Sequence, residues 1–245
     1  MKKSLVVAAF AAIGLSGGAH AADMYSAPAG GGSLKDVPYV AVPSWTGFYI
    51  GAHVGGAFSD LKTDSYSPYW GNGQWSNNAD GVAGGGQLGY NYQFGGNYVL
   101  GFEADFGGLG LSSNQSAFGS GGLLTSKVNS GFYTDVTGRL GYAAGPALFY
   151  AKGGWVYYDG GLGVTDQTIP VSVRKEGTDG WTVGGGIEYK FAPAWSVKGE
   201  YQYFDFGDQT ITTAPGESYK QEFKANTVTV GLNYFVGGLP YAPLK

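Results

Sequence analysis

The chain has 245 residues, of which 46 are glycine and 16% are aromatic, whereas only 13% are charged. Ordinary globular proteins contain about 7% glycine and about 25% charged residues, so the composition is unusual for a soluble domain. The net charge of −4 argues against a nucleic-acid partner, and the absence of cysteine excludes disulfide bonds and thiolate metal sites.

The first 21 residues are predicted to be a signal peptide that is cleaved near Ala21. Lys2 and Lys3 precede an uncharged apolar run from Leu5 to Leu15, and Ala19-His20-Ala21 has the small-x-small form of a cleavage site. The apolar run is too short to span a bilayer as a helix, which takes about 20 residues. Residues 22–44 contain several prolines and glycines and are predicted to be a periplasmic linker.

From Trp45 onward, apolar and polar residues alternate with the period of a β-strand. Eight segments show this alternation: 45–58, 82–94, 98–106, 132–142, 147–157, 181–191, 195–203 and 226–236. In the second segment, for example, Leu88, Tyr90 and Tyr92 share one face, and Gln87 and Asn91 share the other. The sequence therefore predicts an all-β fold of eight antiparallel strands.

The connections between these segments alternate in length. Residues 95–97, 144–146 and 192–194 form three tight turns. The other four connections are long, polar and rich in Gly, Ser, Thr and Asn: 59–81, 107–131, 158–180 and 204–225. Short turns on one side, long loops on the other and an even number of strands are typical of an up-and-down outer-membrane barrel. The barrel is predicted to cover residues 45–236, followed by a tail at 237–245.

The two faces of the predicted strands favour a membrane barrel over a soluble one. The apolar faces carry no Asp, Glu, Lys or Arg, and aromatic residues gather near both ends of the segments, as at the two membrane interfaces. Nine charged residues lie on the polar faces and are predicted to form a charge network inside the barrel: Glu103, Asp105, Asp135, Arg139, Lys152, Glu188, Lys190, Lys198 and Glu200. A water-facing exterior would carry a higher density of charge.

The predicted network is nearly neutral, with five acids and four bases. The tight turn centred on Pro193 sets Glu188 opposite Lys198, and this pair is expected to form an ion pair. Since the interior of an eight-stranded barrel is just wide enough for side chains to fill it, a mostly closed polar lumen is predicted.

No catalytic, metal or cofactor site is predicted. His53 is the one histidine beyond the predicted cleavage site, and it points inward by parity, whereas a lipid-cleaving histidine should lie near the outer leaflet beside an accessible serine. The motif Gly84-x-Gly86-x-x-Gly89 matches a dinucleotide fingerprint, but it lies within a predicted strand and no helix follows it.

Aromatic residues also occur in the first long loop, at Tyr66, Tyr69, Trp70 and Trp75. They favour two interpretations equally: a contact surface for an extracellular ligand or lipopolysaccharide, or an extension of the outer aromatic girdle.

Five stretches resemble one known family of small outer-membrane proteins. They are Trp45-Thr46-Gly47-Phe48-Tyr49-Ile50-Gly51, Gly89-Tyr90-Asn91-Tyr92-Gln93, Gly138-Arg139-Leu140-Gly141-Tyr142, Tyr150-Ala151-Lys152-Gly153-Gly154 and Val230-Gly231-Leu232-Asn233-Tyr234. In this order they are similar to the porin-like, opacity/OmpA-like barrel proteins of Gram-negative bacteria, over about residues 45–236.

The resemblance implies an eight-stranded barrel in the outer membrane, with periplasmic termini and surface-exposed loops. It implies contact with outer-membrane lipid, lipopolysaccharide and the outer-membrane assembly machinery. One departure is Val236, which stands where such barrels usually end on an aromatic residue that the machinery reads. The predicted function is a structural and surface protein of the envelope, not an enzyme. A narrow small-solute pore and a lipid-modifying enzyme are the alternatives.

Overall fold

The computed structural model describes residues 44–66, 72–111, 113–119, 122–128, 130–160, 162–166, 171–175, 177–214 and 217–236. Within these ranges, no helix has the length and apolar character that crossing a membrane requires. The predicted signal peptide, nearly all of the predicted linker and the predicted tail lie outside the described residues.

Twelve strands lie in the described ranges. In chain order they are β1 (Gly47–Tyr66), β2 (Gly73–Phe94), β3 (Tyr98–Leu109), β4 (Ser113–Gly119), β5 (Gly122–Val128), β6 (Gly131–Ala144), β7 (Ala147–Tyr158), β8 (Leu162–Asp166), β9 (Val171–Lys175), β10 (Thr178–Ala192), β11 (Trp195–Ala214) and β12 (Glu217–Val236). Eight of them form a closed barrel in the order β1-β12-β11-β10-β7-β6-β3-β2, and β4-β5-β8-β9 form a separate sheet.

All neighbouring barrel strands pair antiparallel, and the first strand pairs with the last. The β1–β12 ladder runs from Phe48↔Val236 to Tyr66↔Ser218 and closes the barrel. Closure gives each edge strand a hydrogen-bonding partner, which a bilayer demands because its hydrocarbon offers none. The predicted eight-stranded antiparallel barrel is thus confirmed.

Strand β3 shows how the alternating sequence produces this architecture. Leu100 and Phe102 are 54% and 51% exposed, whereas Val99 and Glu103 are 1% and 0% exposed. Successive side chains of a strand point to opposite faces, so every second residue enters the barrel interior. The outward face of β3 is apolar and its charged residues lie inside, which is the reverse of a soluble barrel.

The two ends of the barrel differ in their connections. Tight turns at 95–97, 145–146 and 193–194 lie at the end that also holds Trp45 and Val236, and we call this the turn end. Gly95 and Gly145 have φ angles of 56° and 63°, a left-handed conformation that glycine adopts without steric cost. The opposite end, which carries the long connections and the β4-β5-β8-β9 sheet, is the loop end.

The strands extend further toward the loop end than the sequence predicted. Strand β1 has 20 residues and β2 has 22, so the connection 59–81 is mostly strand and not loop. The connection 204–225 is likewise mostly strand, and β4, β5, β8 and β9 lie within 107–131 and 158–180. These predictions were wrong because the hydrophobic alternation fades where the outward face becomes charged, although the ladder continues. Asp60↔Lys224 and Asp64↔Lys220 are two such charged cross-strand pairs.

A bulge marks the point where β11 leaves β10. The β10–β11 ladder reaches Trp181↔Asp205, and the register of β11 against β12 shifts between Asp205 and Asp208. Gly207, with a φ of 68°, supplies the left-handed residue of this bulge. Phe206, directly before Gly207, still follows the alternation of Phe204 into the interior and is 1% exposed.

Candidate functional site

The outer surface of the barrel is an apolar belt. Phe48, Leu140 and Val230 are 61%, 58% and 59% exposed, and the other barrel strands present similar residues. A continuous exposed apolar surface is unstable in water but suits the hydrocarbon of a bilayer.

Aromatic residues border this belt at both ends, as predicted. Near the turn end the exposed aromatic residues are Tyr92, Phe94, Tyr98, Tyr142, Phe149, Phe191, Trp195 and Tyr234. Near the loop end they are Phe58, Phe106, Phe132, Trp155 and Trp181. Tyr203 is partly buried, with its ring 5.5 Å from that of Trp181. Two such girdles fit the two interfaces of a membrane with water.

Inside the barrel, ionisable side chains meet in one layer, the charged layer. It consists of Glu103, Asp105, Asp135, Arg139, Lys152, Glu188, Lys198 and Glu200, all buried. The ion pairs among these residues span 2.8–3.4 Å. Five strands contribute to the layer, so its side chains meet across the interior as well as between neighbouring strands.

Lys152 on β7 joins three carboxylates. Its Nζ donates to Glu103 Oε1 at 2.8 Å, to Glu200 Oε1 at 3.0 Å and to Asp105 Oδ2 at 3.1 Å. An ammonium group has three donors, and here each is used. Lys152 therefore links β3, β7 and β11 through the middle of the barrel.

Arg139 on β6 is the second centre of the layer. Its Nη2 donates to Glu188 Oε2 at 2.9 Å, and its Nη1 lies 3.4 Å from Glu103 Oε2. The guanidinium also lies over the rings of Tyr49 and Tyr150, at 5.1 and 4.7 Å from their centroids. Such contacts stabilise a cation that has been removed from water.

Glu188 and Lys198 are directly opposite in the β10–β11 ladder, as expected from the turn at Pro193. The expected ion pair between them is nevertheless absent. Lys198 Nζ lies 3.3 Å from Glu103 Oε1 and 3.4 Å from Glu200 Oε2, whereas Glu188 accepts from Arg139. Long side chains reach across the narrow interior, so the cross-strand neighbour is only one of several available partners.

Lys190 lies apart from the other eight predicted residues. Its Nζ donates to the Ser44 carbonyl oxygen at 2.7 Å and lies 3.7 Å from the centroid of the Phe235 ring. The same Nζ atom also lies over the ring of Trp45, 5.0 Å from its centroid. Lys190 thus holds the chain segment before β1 at the turn end. Arg139, Lys152 and Lys198 pair with four carboxylates of the charged layer, those of Glu103, Asp105, Glu188 and Glu200.

Neutral donors supply further hydrogen bonds to the layer, since five carboxyl groups face only three of its cations. Two buried atoms of the layer, Asp135 Oδ1 and Arg139 Nε, have no hydrogen-bonding partner among the described residues. Tyr49 Oη donates to Glu103 at 2.7 Å, and Tyr150 Oη donates to Glu200 at 2.6 Å. Gln202, Ser196 and Asn233 donate to Asp135 or Glu188. A buried carboxylate costs free energy unless such donors satisfy it.

His53 points into the interior, as its parity predicted, and its side chain is 5% exposed. Its Nδ1 lies 2.7 Å from Gln87 Oε1, and its Nε2 lies 2.8 Å from Tyr133 Oη. Gly107 permits this arrangement, because a Cβ there would lie 2.5 Å from the Tyr133 ring. The imidazole is fixed inside the barrel, away from the lipid-facing surface.

An apolar cluster lies in the interior at the turn end and is called the turn-end cluster. It consists of Trp45, Tyr49, Val99, Ala143, Leu148, Tyr150 and Phe235. Trp45 is fully buried, its ring packs edge-on against Phe235, and its backbone N–H donates to Gln93 Oε1 at 2.8 Å.

A larger apolar cluster lies in the interior at the loop end and is called the loop-end cluster. It consists of Ala57, Leu61, Ala79, Ala83, Leu109, Leu111, Tyr133, Val156, Tyr158, Phe204, Phe206, Phe223 and Ala225. Phe206 is its centre, with ring centroids 5.2 Å from Phe223, 5.5 Å from Tyr158 and 6.2 Å from Phe204.

The sequence did not reveal this cluster, because Phe206 and Phe223 fall in a predicted loop. The i, i+2 spacing of Phe204 with Phe206, and of Phe223 with Ala225, was the available signal. Along β3 the inward residues run from Val99 through Glu103 and Asp105 to Leu109. The charged layer therefore lies between the two apolar clusters.

A closed antiparallel barrel with an apolar belt, two aromatic girdles and a polar interior defines the class of transmembrane β-barrels. The model of the family described as outer membrane protein beta-barrel domain matches residues 8–235. The chain belongs to this family, and it is a β-barrel protein of the outer membrane.

Two similar proteins are themselves named as outer-membrane proteins. The 31 kDa outer-membrane immunogenic protein of Brucella melitensis is 32% identical over 243 residues, which cover 95% of this chain and 99% of that protein. The 22 kDa outer membrane protein of Rhizobium leguminosarum bv. viciae is 28% identical over 200 residues, or 81% of each chain. Among solved structures, Neisserial surface protein A is 14% identical with a TM-score of 0.46, covering 78% of this chain and 98% of that one.

Proposed function

We propose that the protein is a non-enzymatic structural and surface component of the outer membrane, with a closed lumen. In this role the turn end lies in the periplasm and the loop end outside the cell, as in other barrels with short turns on one side. Its partners would be outer-membrane lipid and lipopolysaccharide around the belt, the assembly machinery during insertion, and an extracellular ligand at the loop end.

The filling of the interior is the observation that carries this proposal. Lys152, Arg139 and Lys198 bridge carboxylates on opposite sides of the barrel, and apolar clusters lie on both sides of them. A hydrated pore needs a continuous polar path, which two apolar clusters interrupt. This favours a closed lumen over a narrow solute pore.

The environment of His53 argues against the alternative of a lipid-modifying enzyme. Its two ring nitrogens lie within hydrogen-bond distance of Gln87 and Tyr133, and the side chain is 5% exposed inside the barrel. A histidine that acts on an acyl chain must reach the lipid-facing surface. The name of the Brucella relative, an immunogenic protein, supports exposure of the loop end to the outside.

Conductance of the refolded full chain in planar lipid bilayers tests the proposal. We expect no steady current above that of the protein-free bilayer, with a general porin in the same membrane as the positive control. Reproducible stepwise conductance would replace the closed-lumen function with that of a pore. Release of acyl chains from phospholipid or lipopolysaccharide, lost in His53→Ala, would instead identify an enzyme.

A further inference from the structure

The tip of the loop end carries a surface depression between β1, β2 and β12. Its volume is about 440 Å³, and its lining includes Asp64, Tyr66, Asn72, Gln74 and Lys220. Sites for small molecules typically have volumes of about 300–1,000 Å³. The depression is therefore large enough for one small ligand, and it lies beyond the apolar belt.

The strand ladders fix the polar groups of this depression. Asp64 is opposite Gln74 on β2 and opposite Lys220 on β12. Gln74 Nε2 donates to Asp64 Oδ1 at 2.8 Å, so the amide and the carboxylate are oriented toward each other. Neighbouring strands hold this pair in place without any ligand, which lowers the entropy cost of binding.

The ammonium group of Lys220 is already paired. Lys220 Nζ lies 2.7 Å from Asp208 Oδ2, and this hydrogen bond raises the pKa of Lys220. The ammonium therefore stays charged at neutral pH, and its charge is balanced by a neighbouring carboxylate. One carboxylate and one paired ammonium give the depression no excess of positive charge for an anion to bind.

Tyr66 adds a planar apolar surface to these polar groups, since its side chain is 56% exposed at the edge of the depression. A tyrosine side chain combines an apolar ring with a hydroxyl group that forms hydrogen bonds, so it suits ligands that are apolar on one face and polar at the rim. Fully apolar ligands would displace water from the polar groups of Asp64, Gln74 and Asn72 without replacing its hydrogen bonds, which is unfavourable.

We propose that this depression binds a neutral saccharide. A pair of adjacent sugar hydroxyls donates to the Asp64 carboxylate and accepts from the amide groups of Gln74 or Asn72. The C–H face of the sugar ring packs on Tyr66. The inference rests on the proposed function in one respect, namely that the loop end faces the outside, where glycans occur. Because the depression is open to water, binding is weak, with a Kd on the order of 1 mM.

Saturation-transfer difference NMR on the refolded full chain in lipid nanodiscs tests this site. The probes are methyl α-D-glucopyranoside, methyl β-D-galactopyranoside and methyl α-D-mannopyranoside, each compared with nanodiscs that lack the protein. We expect saturation transfer to the ring protons of at least one glycoside. Asp64→Asn and Tyr66→Ala should each weaken binding at least tenfold.

Asp60→Asn is the matched control, because Asp60 is exposed on the same face of β1, opposite Lys224, and lies outside the depression. It should bind the glycoside as the parent protein does. The site would be overturned if no glycoside showed saturation transfer above the empty nanodiscs. It would also be overturned if Asp64→Asn and Tyr66→Ala showed the same transfer as the parent protein. Inorganic phosphate that competes with the bound glycoside would overturn the assignment to a neutral ligand. Conductance of the same preparations reports separately on the closed lumen, so the two proposals fail independently.

Discussion

The charged layer and the loop-end cluster occupy the same narrow interior but fill it with opposite chemistry. In the charged layer, buried ion pairs of 2.8–3.4 Å cross the barrel, and tyrosine hydroxyls donate further hydrogen bonds to Glu103 and Glu200. In the loop-end cluster, Phe206, Phe223 and Tyr158 pack ring against ring. The two regions should therefore respond differently to the loss of one side chain.

The difference lies in what a truncation leaves behind. Removal of a cation from the charged layer leaves a buried carboxylate without its partner, and a buried unpaired charge is costly. Truncation of an aromatic ring leaves only a cavity and a loss of packing. The charged layer thus makes the fold depend on each of its members, whereas the loop-end cluster should tolerate a change of shape.

The largest effect is expected for Arg139→Met. Glu188 would lose its only ion-pair partner among the described residues, so we expect the free energy of unfolding to fall by about 3–5 kcal/mol. Urea titration of the barrel in phospholipid vesicles, followed by tryptophan fluorescence, measures this value. Lys190→Met is the control and should cost less, since Lys190 pairs with a carbonyl oxygen at the turn end. Equal losses in the two variants would contradict the assignment of Arg139 to the charged layer.

A somewhat smaller effect is expected for Phe223→Ala in the loop-end cluster. The free energy of unfolding should fall by about 3 kcal/mol, because the substitution leaves a cavity and removes packing contacts. The same vesicle titration applies. Phe102→Ala is the matched control, because Phe102 is 51% exposed on the outer face and lipid fills the space that it leaves. If Phe223→Ala and Phe102→Ala lower the free energy of unfolding by the same amount, the ring of Phe223 is not enclosed by the loop-end cluster.

The smallest effect is a difference between two coupling energies. Double-mutant cycles should give about 1–2 kcal/mol for Glu188→Gln with Arg139→Met. They should give a smaller value for Glu188→Gln with Lys198→Met, although Glu188 and Lys198 are opposite in the ladder. A larger coupling energy for the second pair would show that ion pairs form between ladder neighbours and not between long side chains that meet across the lumen.

The same two regions show how far the sequence predicts this barrel. Strict alternation in segments such as 98–106 placed Glu103 and Asp105 on the inward face, because successive side chains of a strand point to opposite faces. Alternation could not determine which acid meets which base. Glu103 takes its partners from β6, β7 and β11, and that choice depends on the width of the lumen.

The loop-end cluster was missed for a different physical reason. Beyond the membrane, the outward residues Asp60, Lys62 and Asp64 are charged, and the pattern of an apolar outer face ends there. The strand itself continues, because β1 and β12 remain paired up to Tyr66↔Ser218. A search for inward apolar residues at every second position, regardless of the outer face, would have found Phe204 and Phe206.

Accessibility of the charged layer to water tests the closed lumen most directly. The chain has no cysteine, so each substitution introduces a single thiol. Thr137→Cys places it in the interior beside Glu103, at a residue that is 1% exposed, and Ser76→Cys places it on the exposed part of β2 at the loop end. With a membrane-impermeant methanethiosulfonate reagent on folded protein in vesicles, Ser76→Cys should react within minutes and Thr137→Cys should not react until the barrel is unfolded. Labelling of both thiols at similar rates would contradict a closed lumen.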